Sequence, residues 1–265
     1  MFKKYLINIF VVIFSVLMLS SCGEYQKLLK SPDYEMKLTK ALEYYENDDF
    51  ARAEALLEEL TRIYQGTDKA EKVFYYYARC FYGKKDYHFA GYYFGNFAKT
   101  FPQSKWAEEC NFLNAYCYYL ESPSASLDQA DTNIAIESLI LFIKKFPTSA
   151  YVSQCNGLID EMRDKLVEKS YISAKLYYEM GQYKASITAL NNSLADYPET
   201  RHKEELLFLI LKSNYRLATN SVLSKQKERF QSTVDQYFAL INDYPETVYM
   251  KEAKRYYDNS LENLK

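Results

Sequence analysis

Seven glycines and six prolines in 265 residues are too few for the many tight corners of an all-β chain, and they exclude a collagenous or linker-rich one. Two histidines and one tryptophan leave almost no material for a histidine-based metal or catalytic centre. There is no Gly-rich phosphate loop, and His88 and His202 belong to no recognisable motif with a Ser, Cys or carboxylate. The acid pairs Glu58-Glu59, Glu108-Glu109 and Glu204-Glu205 fall on helical stretches, where adjacent carboxylates diverge, so they read as solvated faces rather than a glycosidase pair. No catalytic residue, metal or cofactor is expected. Beyond Cys22, the cysteines are Cys80, Cys110, Cys117 and Cys155, without metal-ligand spacing. In an oxidising compartment three pairings are open to them. Cys110 and Cys117 share a helical face and read as small buried residues at packing surfaces, with disulfides left open.

What is abundant is tyrosine, 28 residues, with 16 phenylalanines, in a chain that is 48% apolar and 26% charged. That is a globular composition, built for helices rich in aromatic rings. The first residues address it to an envelope. Lys3 and Lys4 precede an apolar run from Leu6 to Leu19, 14 residues, too short to span a bilayer comfortably and suited to an export signal. Leu19-Ser20-Ser21-Cys22 then resembles a lipobox: an aliphatic residue, two small residues that let a peptidase close on the backbone, and a thiol that accepts lipid by thioether. Lipoprotein processing adds more than one acyl chain, and each buried methylene contributes about 0.8 kcal/mol of membrane affinity. Removal of residues 1–21 takes away Lys3 and Lys4 and no acid, leaving 31 basic and 35 acidic residues, formal charge −4. A nucleic-acid binder would need the opposite sign.

A repeat is written in the spacing. Phe101-Pro102-Gln103-Ser104, Phe146-Pro147-Thr148-Ser149, Tyr197-Pro198-Glu199-Thr200 and Tyr244-Pro245-Glu246-Thr247 recur at intervals of 45, 51 and 47 residues. Each Pro stops a helix and each Ser or Thr can cap the next. Between these marks runs the tetratricopeptide pattern of small and large residues: Ala41, Tyr44, Phe50, Ala53, Leu57 and Leu60; Ala78, Phe81, Tyr87, Ala90, Phe94 and Phe97; Ala115 and Tyr118, then a polar insertion at 122–131, then Ala135, Leu139 and Phe142; Ala174, Tyr177, Gly181, Tyr183 and Leu190. In the fifth unit Tyr215 and Phe230 fit, but Lys212 holds the small position. Small residues let helices approach and large ones fill the hairpin's open end. The expected fold is all-α, a tetratricopeptide-type solenoid of about five hairpins and a C-terminal capping helix. Its parts are a lipoprotein signal at 1–21, a lipidated tether at 22–30, and a solenoid at 31–265 with repeats 34–66, 71–104, 108–149, 150–200 and 203–247 and a cap at 248–265. Ser149 should open a helix of about 30 residues crossing from the third unit to the fourth.

The first helix of each hairpin lines the inner surface of such an array. In Tyr44-Tyr45, Phe81-Tyr82, Tyr118-Tyr119 and Tyr177-Tyr178 the two rings diverge by about 100°, so the first enters the core and the second faces a groove. Leu38, Tyr75, Phe112 and Tyr171 lie seven residues earlier on that face, with Leu42, Arg79, Tyr116 and Lys175 between. The expected peptide-binding stripe is Leu38, Tyr45, Tyr75, Arg79, Tyr82, Phe112, Tyr116 and Tyr119, since Tyr and Arg are interface anchors.

The segment from Phe146 to Thr200 carries a resemblance. Phe146-Pro147-Thr148-Ser149-Ala150-Tyr151-Val152, Ile159, Arg163-Asp164-Lys165-Leu166, Ala174-Lys175-Leu176-Tyr177-Tyr178, Gly181-Gln182-Tyr183 and Asp196-Tyr197-Pro198-Glu199-Thr200 resemble the BamD family of the β-barrel assembly machinery, as do Asp128-Gln129 and the lipobox. The resemblance implies a non-enzymatic, lipid-anchored scaffold on the periplasmic face of the outer membrane. Its partners would be the periplasmic domains of the Omp85-type barrel protein and unfolded outer-membrane protein precursors, with no nucleic acid. N-terminal repeats would engage precursors, with Tyr75, Arg79 and Tyr82 in the substrate groove. C-terminal repeats would engage the barrel subunit, with Lys175, Tyr178, Arg216 and the final helix on that side. A tetratricopeptide lipoprotein scaffolding cell-wall coordination or glycan uptake is the alternative. The lipobox itself predicts a mature chain beginning at an acylated Cys22, visible as the mass of the N-terminal peptide; an unmodified chain beginning elsewhere would refute it.

Overall fold

The computed structural model describes residues 24–265; the export signal and Cys22 lie outside the described residues. Eleven helices follow a short helical segment at 24–29: α1 Tyr34–Glu46, α2 Phe50–Ile63, α3 Ala70–Gly83, α4 Tyr87–Thr100, α5 Ala107–Glu121, α6 Ala130–Lys145, α7 Val152–Glu179, α8 Tyr183–Asp196, α9 Lys203–Thr219, α10 Leu223–Asp243 and α11 Met250–Leu264. Neighbouring helices pack on one another from α1 to α5 and from α8 to α11, in a helical-hairpin arrangement of the tetratricopeptide type, and no strand occurs among the described residues. The long helix expected after Ser149 is α7, with 28 residues.

Two kinds of turn make the hairpins. Inside a hairpin, a residue in the left-handed region stands directly before the start of the second helix: Asp48 with φ 59°, Lys85 with φ 62° and Gly181 with φ 72°. In each, the next amide reaches back five residues, Asp49 to the Tyr44 carbonyl at 2.9 Å, Asp86 to Phe81 at 3.0 Å and Gln182 to Tyr177 at 3.0 Å. This is the Schellman arrangement that satisfies the last carbonyls of a helix. The aspartates at 49 and 86 then cap α2 and α4, accepting from the Arg52 amide at 3.2 Å and the Phe89 amide at 3.4 Å.

Between hairpins the aromatic-Pro-x-Ser/Thr signature folds the same way each time. The Ser or Thr amide donates to the aromatic residue's carbonyl, Ser104 to Phe101 at 3.1 Å, Ser149 to Phe146 at 3.1 Å, Thr200 to Tyr197 at 3.1 Å and Thr247 to Tyr244 at 3.2 Å. Its hydroxyl accepts from the amide two residues on: Trp106 at 3.3 Å, Tyr151 at 3.1 Å, His202 at 3.2 Å and Tyr249 at 3.2 Å. Proline fits here because it pre-sets φ and cannot extend the preceding helix. The first such turn, Tyr64 to Thr67, does without proline and uses Gly66 at φ 78°.

The described chain forms two compact units. One runs to Ser122 and includes Asp131–Asn156; the other takes Pro123–Ala130 and Gly157–Lys265, so the division falls within α7. In the first, Ala41, Ala53, Leu57, Leu60, Ala78, Ala90, Phe94, Phe97, Ala115, Ala135 and Leu139 are all buried at the positions the repeat spacing marks. Helices α4 and α5 approach closest at Gly91 and Gly95, where a Cβ would meet Cys117 and the Asn114 amide nitrogen at 3.1 and 2.9 Å. In the second unit, Tyr171, Ala174, Leu190, Leu206 and Ile210 form one cluster, and Phe208, Leu211, Leu240, Ala253 and Tyr256 another. All four described cysteines are free and buried, and burial raises each thiol, Cys80 and Cys117 to about 12 and Cys155 to about 11.

Two expectations need correction. Tyr177, assigned to the core, is 44% exposed. In the α3–α4 hairpin the corresponding Phe81 is covered by Phe89 and Tyr93, and the matching positions on α8 are Ala185 and Ala189, too small to reach it. In the fifth unit Lys212 does not hold the small position: the residue in register with Ala78 and Ala174 is Leu211, which is buried, and two places on the buried Ser213 pairs its hydroxyl with that of Ser186 at 3.0 Å. Within the expected tether, residues 24–29 are helical, and the segment is docked on the first hairpin through Leu28, Tyr25 and Lys37. A lysine in the left-handed region is strained by about 1–2 kcal/mol, and the side chain of Lys85 is exposed. Lys85→Gly is therefore expected to raise stability by about 1 kcal/mol in urea unfolding, less the entropy that glycine adds to the unfolded chain. A loss of stability would show that the turn is not strained.

Candidate protein-interaction surface

The between-hairpin turn places a ring. The residue whose amide is held by the Ser or Thr hydroxyl carries a flat side chain, and that side chain lies on a ring of the preceding hairpin. Trp106 stacks on Tyr75 with centroids 4.7 Å apart and planes at 11°, Tyr151 on Phe112 at 4.2 Å and 9°, His202 on Tyr171 at 3.9 Å and 7°, and Tyr249 on Phe208 at 4.2 Å and 5°. Such pairs contribute about 0.5–1.5 kcal/mol beyond the area they bury. At the first joint the equivalent positions hold Leu38 and Lys69, and Lys69 pairs with Glu35 instead.

A charge pair accompanies three of the stacks. Four residues beyond the lower ring stands a cation, and three beyond the upper ring a glutamate. Arg79 Nη1 meets Glu109 at 3.1 Å, Lys175 Nζ meets Glu205 at 2.9 Å, and Lys212 Nζ meets Glu252 at 3.4 Å. Tyr75 adds a hydroxyl bond to Glu109 at 2.9 Å, and Lys175 one to the Tyr171 oxygen at 2.8 Å. Where Tyr116 replaces the cation, the rings continue instead: Phe112, Tyr116 and Tyr119 stack in series, each step 5.5 Å with planes 15° apart.

These joints decide which residues of the expected stripe reach solvent. Leu38, Tyr75 and Phe112 do not face a groove; they are 7%, 8% and 4% exposed. Tyr75 and Phe112 are the platforms on which Trp106 and Tyr151 lie, which is why periodicity alone misplaced them. Tyr45, Arg79, Tyr82, Tyr116 and Tyr119 remain half-exposed. Tyr45 and Tyr82 line a cavity of about 300 Å³ with Glu46, Asp48, Phe50, Arg79 and Gly83. Arg79 is not a free cation there, since its Nε donates to the Tyr45 hydroxyl at 3.0 Å and its Nη1 to Glu109. In the second unit Lys175 is likewise engaged, Tyr178 is half-buried with the Lys212 ammonium 5.4 Å from its ring centre, and Arg216 is exposed.

Two readings of the acids and histidines change. Glu109 and Glu205 are half-buried clasp residues rather than solvated ones. His202 meets Glu168 at 2.8 Å, and Glu168 also takes Arg201 at 2.6 Å; hydrogen bonding from Arg201, then from His202, holds that carboxyl below its ordinary range. The rings at 106, 151, 202 and 249 were legible as the second residue after each Ser or Thr. Ile172, Leu176 and Tyr177 of α7 and Met180 just beyond its end are exposed; of these the repeat pattern claimed Tyr177. No cluster of metal-ligating side chains and no helix long and apolar enough to cross a membrane occurs among the described residues.

Tandem helical hairpins with ring-and-charge joints define a tetratricopeptide-type repeat protein. The chain belongs to the YfiO family, described as outer membrane lipoproteins, which matches it over residues 33–230. It is 25% identical over 124 residues to the outer membrane protein assembly factor BamD of Caulobacter vibrioides, a match covering 47% of this chain and 41% of that protein. A BamD-type assembly factor of Aquifex aeolicus is 24% identical over 256 residues, covering 96% of this chain and 81% of the relative. With BamD of Rickettsia prowazekii the identity is 25% over 43% of this chain and 45% of that one. The match thus spans less than half the length of the Caulobacter and Rickettsia proteins.

The clasp at the α7–α9 joint is open to a pH test. Burial raises the Glu205 carboxyl, but hydrogen bonding from Lys175 and Tyr171 outweighs it, so the group is held below its ordinary value. The folded state then binds this proton more weakly than the unfolded state does. The clasp contributes above the ordinary glutamate value of about 4.3 and fades as pH falls through the lowered folded value. Glu205→Gln should be less stable than wild type by about 1 kcal/mol near neutrality in urea unfolding. The two should converge below about pH 4; a constant difference down to low pH would show that the pair carries no linkage.

Proposed function

We propose that this protein is a non-catalytic scaffold of outer-membrane protein assembly, anchored by lipid at Cys22 on the periplasmic face, which holds unfolded barrel precursors and binds the Omp85-type barrel subunit. The observation that carries this reading is the match to the outer membrane lipoprotein family over residues 33–230, together with the relative aligned along 96% of the chain whose name places it in outer-membrane protein assembly.

The geometry supports it as recognition without bond-making. In the first unit Tyr45, Tyr82, Tyr116 and Tyr119 expose part of each ring while their bodies are held by neighbours. Rings held in place lose little entropy when a chain is laid across them, and phenolic hydroxyls serve an extended backbone that has unpaired amides. A few such contacts give weak, reversible capture, which suits a client that must be passed on. In the second unit the stripe of Ile172, Leu176, Tyr177 and Met180, with Arg216 elsewhere on its surface, supplies the apolar anchors and the exposed cation expected of a docking face for a folded partner.

Gentle-detergent purification through the C-terminus, followed by mass spectrometry, should recover an Omp85-type barrel protein. Recovery of cell-wall enzymes or a glycan transporter in its place would refute the reading. Tyr82→Ala with Tyr119→Ala should weaken precursor capture about tenfold, the loss of one to two kcal/mol that truncating interface tyrosines brings, with helicity unchanged by circular dichroism. Undiminished capture would remove the ring surface from the mechanism.

A further inference from the structure

The described chain begins at Glu24, two residues after Cys22, and two residues span at most about 7 Å. What matters is whether residue 24 starts a free leash or a fixed part of the protein. It starts a fixed part. Residues 24–29 are helical, Leu28 is buried, and the Tyr25 hydroxyl donates to the Arg52 carbonyl at 3.3 Å with its ring edge-on to Tyr44 at 5.7 Å. Lys37 completes the attachment from below. Its side chain is 1% exposed, and its ammonium donates to the Leu29 carbonyl at 2.9 Å and to Glu59 at 2.6 Å. A buried ammonium is tolerated only with such partners, so the segment and the hairpin are interdependent.

A groove of about 650 Å³ opens between this segment and α1, lined by Glu24, Lys27, Leu28, Met36, Lys40 and Tyr44, among other residues. Met36 is 42% exposed. Lys40 is paired with Glu43, whereas Lys27 is exposed and forms no ion pair among the described residues. A lipid on Cys22 would hold this groove beside the bilayer at all times, because the leash is too short to let it leave, and tethering at that length keeps headgroups at a high local concentration.

We infer that this groove is a phospholipid-contact site: it receives a glycerophospholipid of the anchoring leaflet, the phosphate against Lys27 and the glycerol and upper acyl carbons against Leu28 and Met36. The docked segment then does more than attach the chain. It turns the lipid anchor into a bracket that presents the first hairpin's N-terminal side to the membrane. The inference rests on acylation of Cys22 and is independent of which clients or barrel subunit the protein binds.

The test uses the full acylated chain in protein-free vesicles of phosphatidylethanolamine and phosphatidylglycerol, with Met36→Cys carrying a nitroxide. The cysteines at 80, 110, 117 and 155 are buried, so the label is directed to the new thiol. Relative to the unacylated Cys22→Ser chain in solution, the anchored label should lose accessibility to a water-soluble nickel chelate by about fivefold or more, as a group buried in the headgroup zone does. A Lys27→Glu change in the labelled chain should return much of that accessibility. Equal accessibility in anchored and soluble chains overturns the inference, as does protection that appears only when a protein partner is added. A second label at Asn47→Cys, an exposed residue of the same groove that leaves Lys27 in place, keeps the test decisive should the first variant misfold. The N-terminal peptide mass of the same sample separates a failed contact from an absent lipid.

Discussion

A flat side chain that opens one hairpin and lies on a ring of the hairpin before it is the contact on which the order of the repeats depends. It occurs at Trp106, Tyr151, His202 and Tyr249 with planes never more than 11° apart. The ring is placed by a local device, the Ser or Thr hydroxyl that holds its backbone amide, so turn and joint form together. Three of the four joints add a cation on the lower helix and a glutamate on the upper one. Stacking buries area and the ion pair sets the register, because a slip of one residue would part both at once.

The same contact uses tyrosine at Tyr75, Tyr151, Tyr171 and Tyr249. A ring used as a platform needs a partner for its edge, and the hydroxyls of Tyr75 and Tyr171 find Glu109 and Lys175. Phenylalanine serves at Phe112, whose joint has no charge pair, and at Phe208, where Glu252 takes the Tyr256 hydroxyl instead. The tyrosines at 45, 82, 116 and 119, which are not platforms, are half-exposed.

Cover also accounts for the exposed ring of Tyr177. Its hairpin has Ala185 and Ala189 where the second hairpin has Phe89 and Tyr93, so a residue in core register is left uncovered beside Leu176 and Met180. At the other end of the chain the logic is reversed. The segment at 24–29 supplies the ring and the carbonyl that cover Tyr44 and satisfy Lys37, and a stretch that composition marks as a tether becomes part of the first hairpin.

Helix pairs, their punctuation and the buried small residues were determined by the sequence, because proline geometry, hydroxyl caps and the spacing of alanines act within a few residues of where they are written. The left-handed residue of the hairpin turn was legible at Gly181 but not at Asp48 or Lys85, whose side chains tolerate that backbone only because the Schellman bonds enforce it. Which rings are open to solvent was decided by tertiary structure alone. Each platform is covered by a side chain 31 to 41 residues later, and the periodicity of one helix, which sets the face a residue occupies, contains nothing about what a distant turn lays upon it.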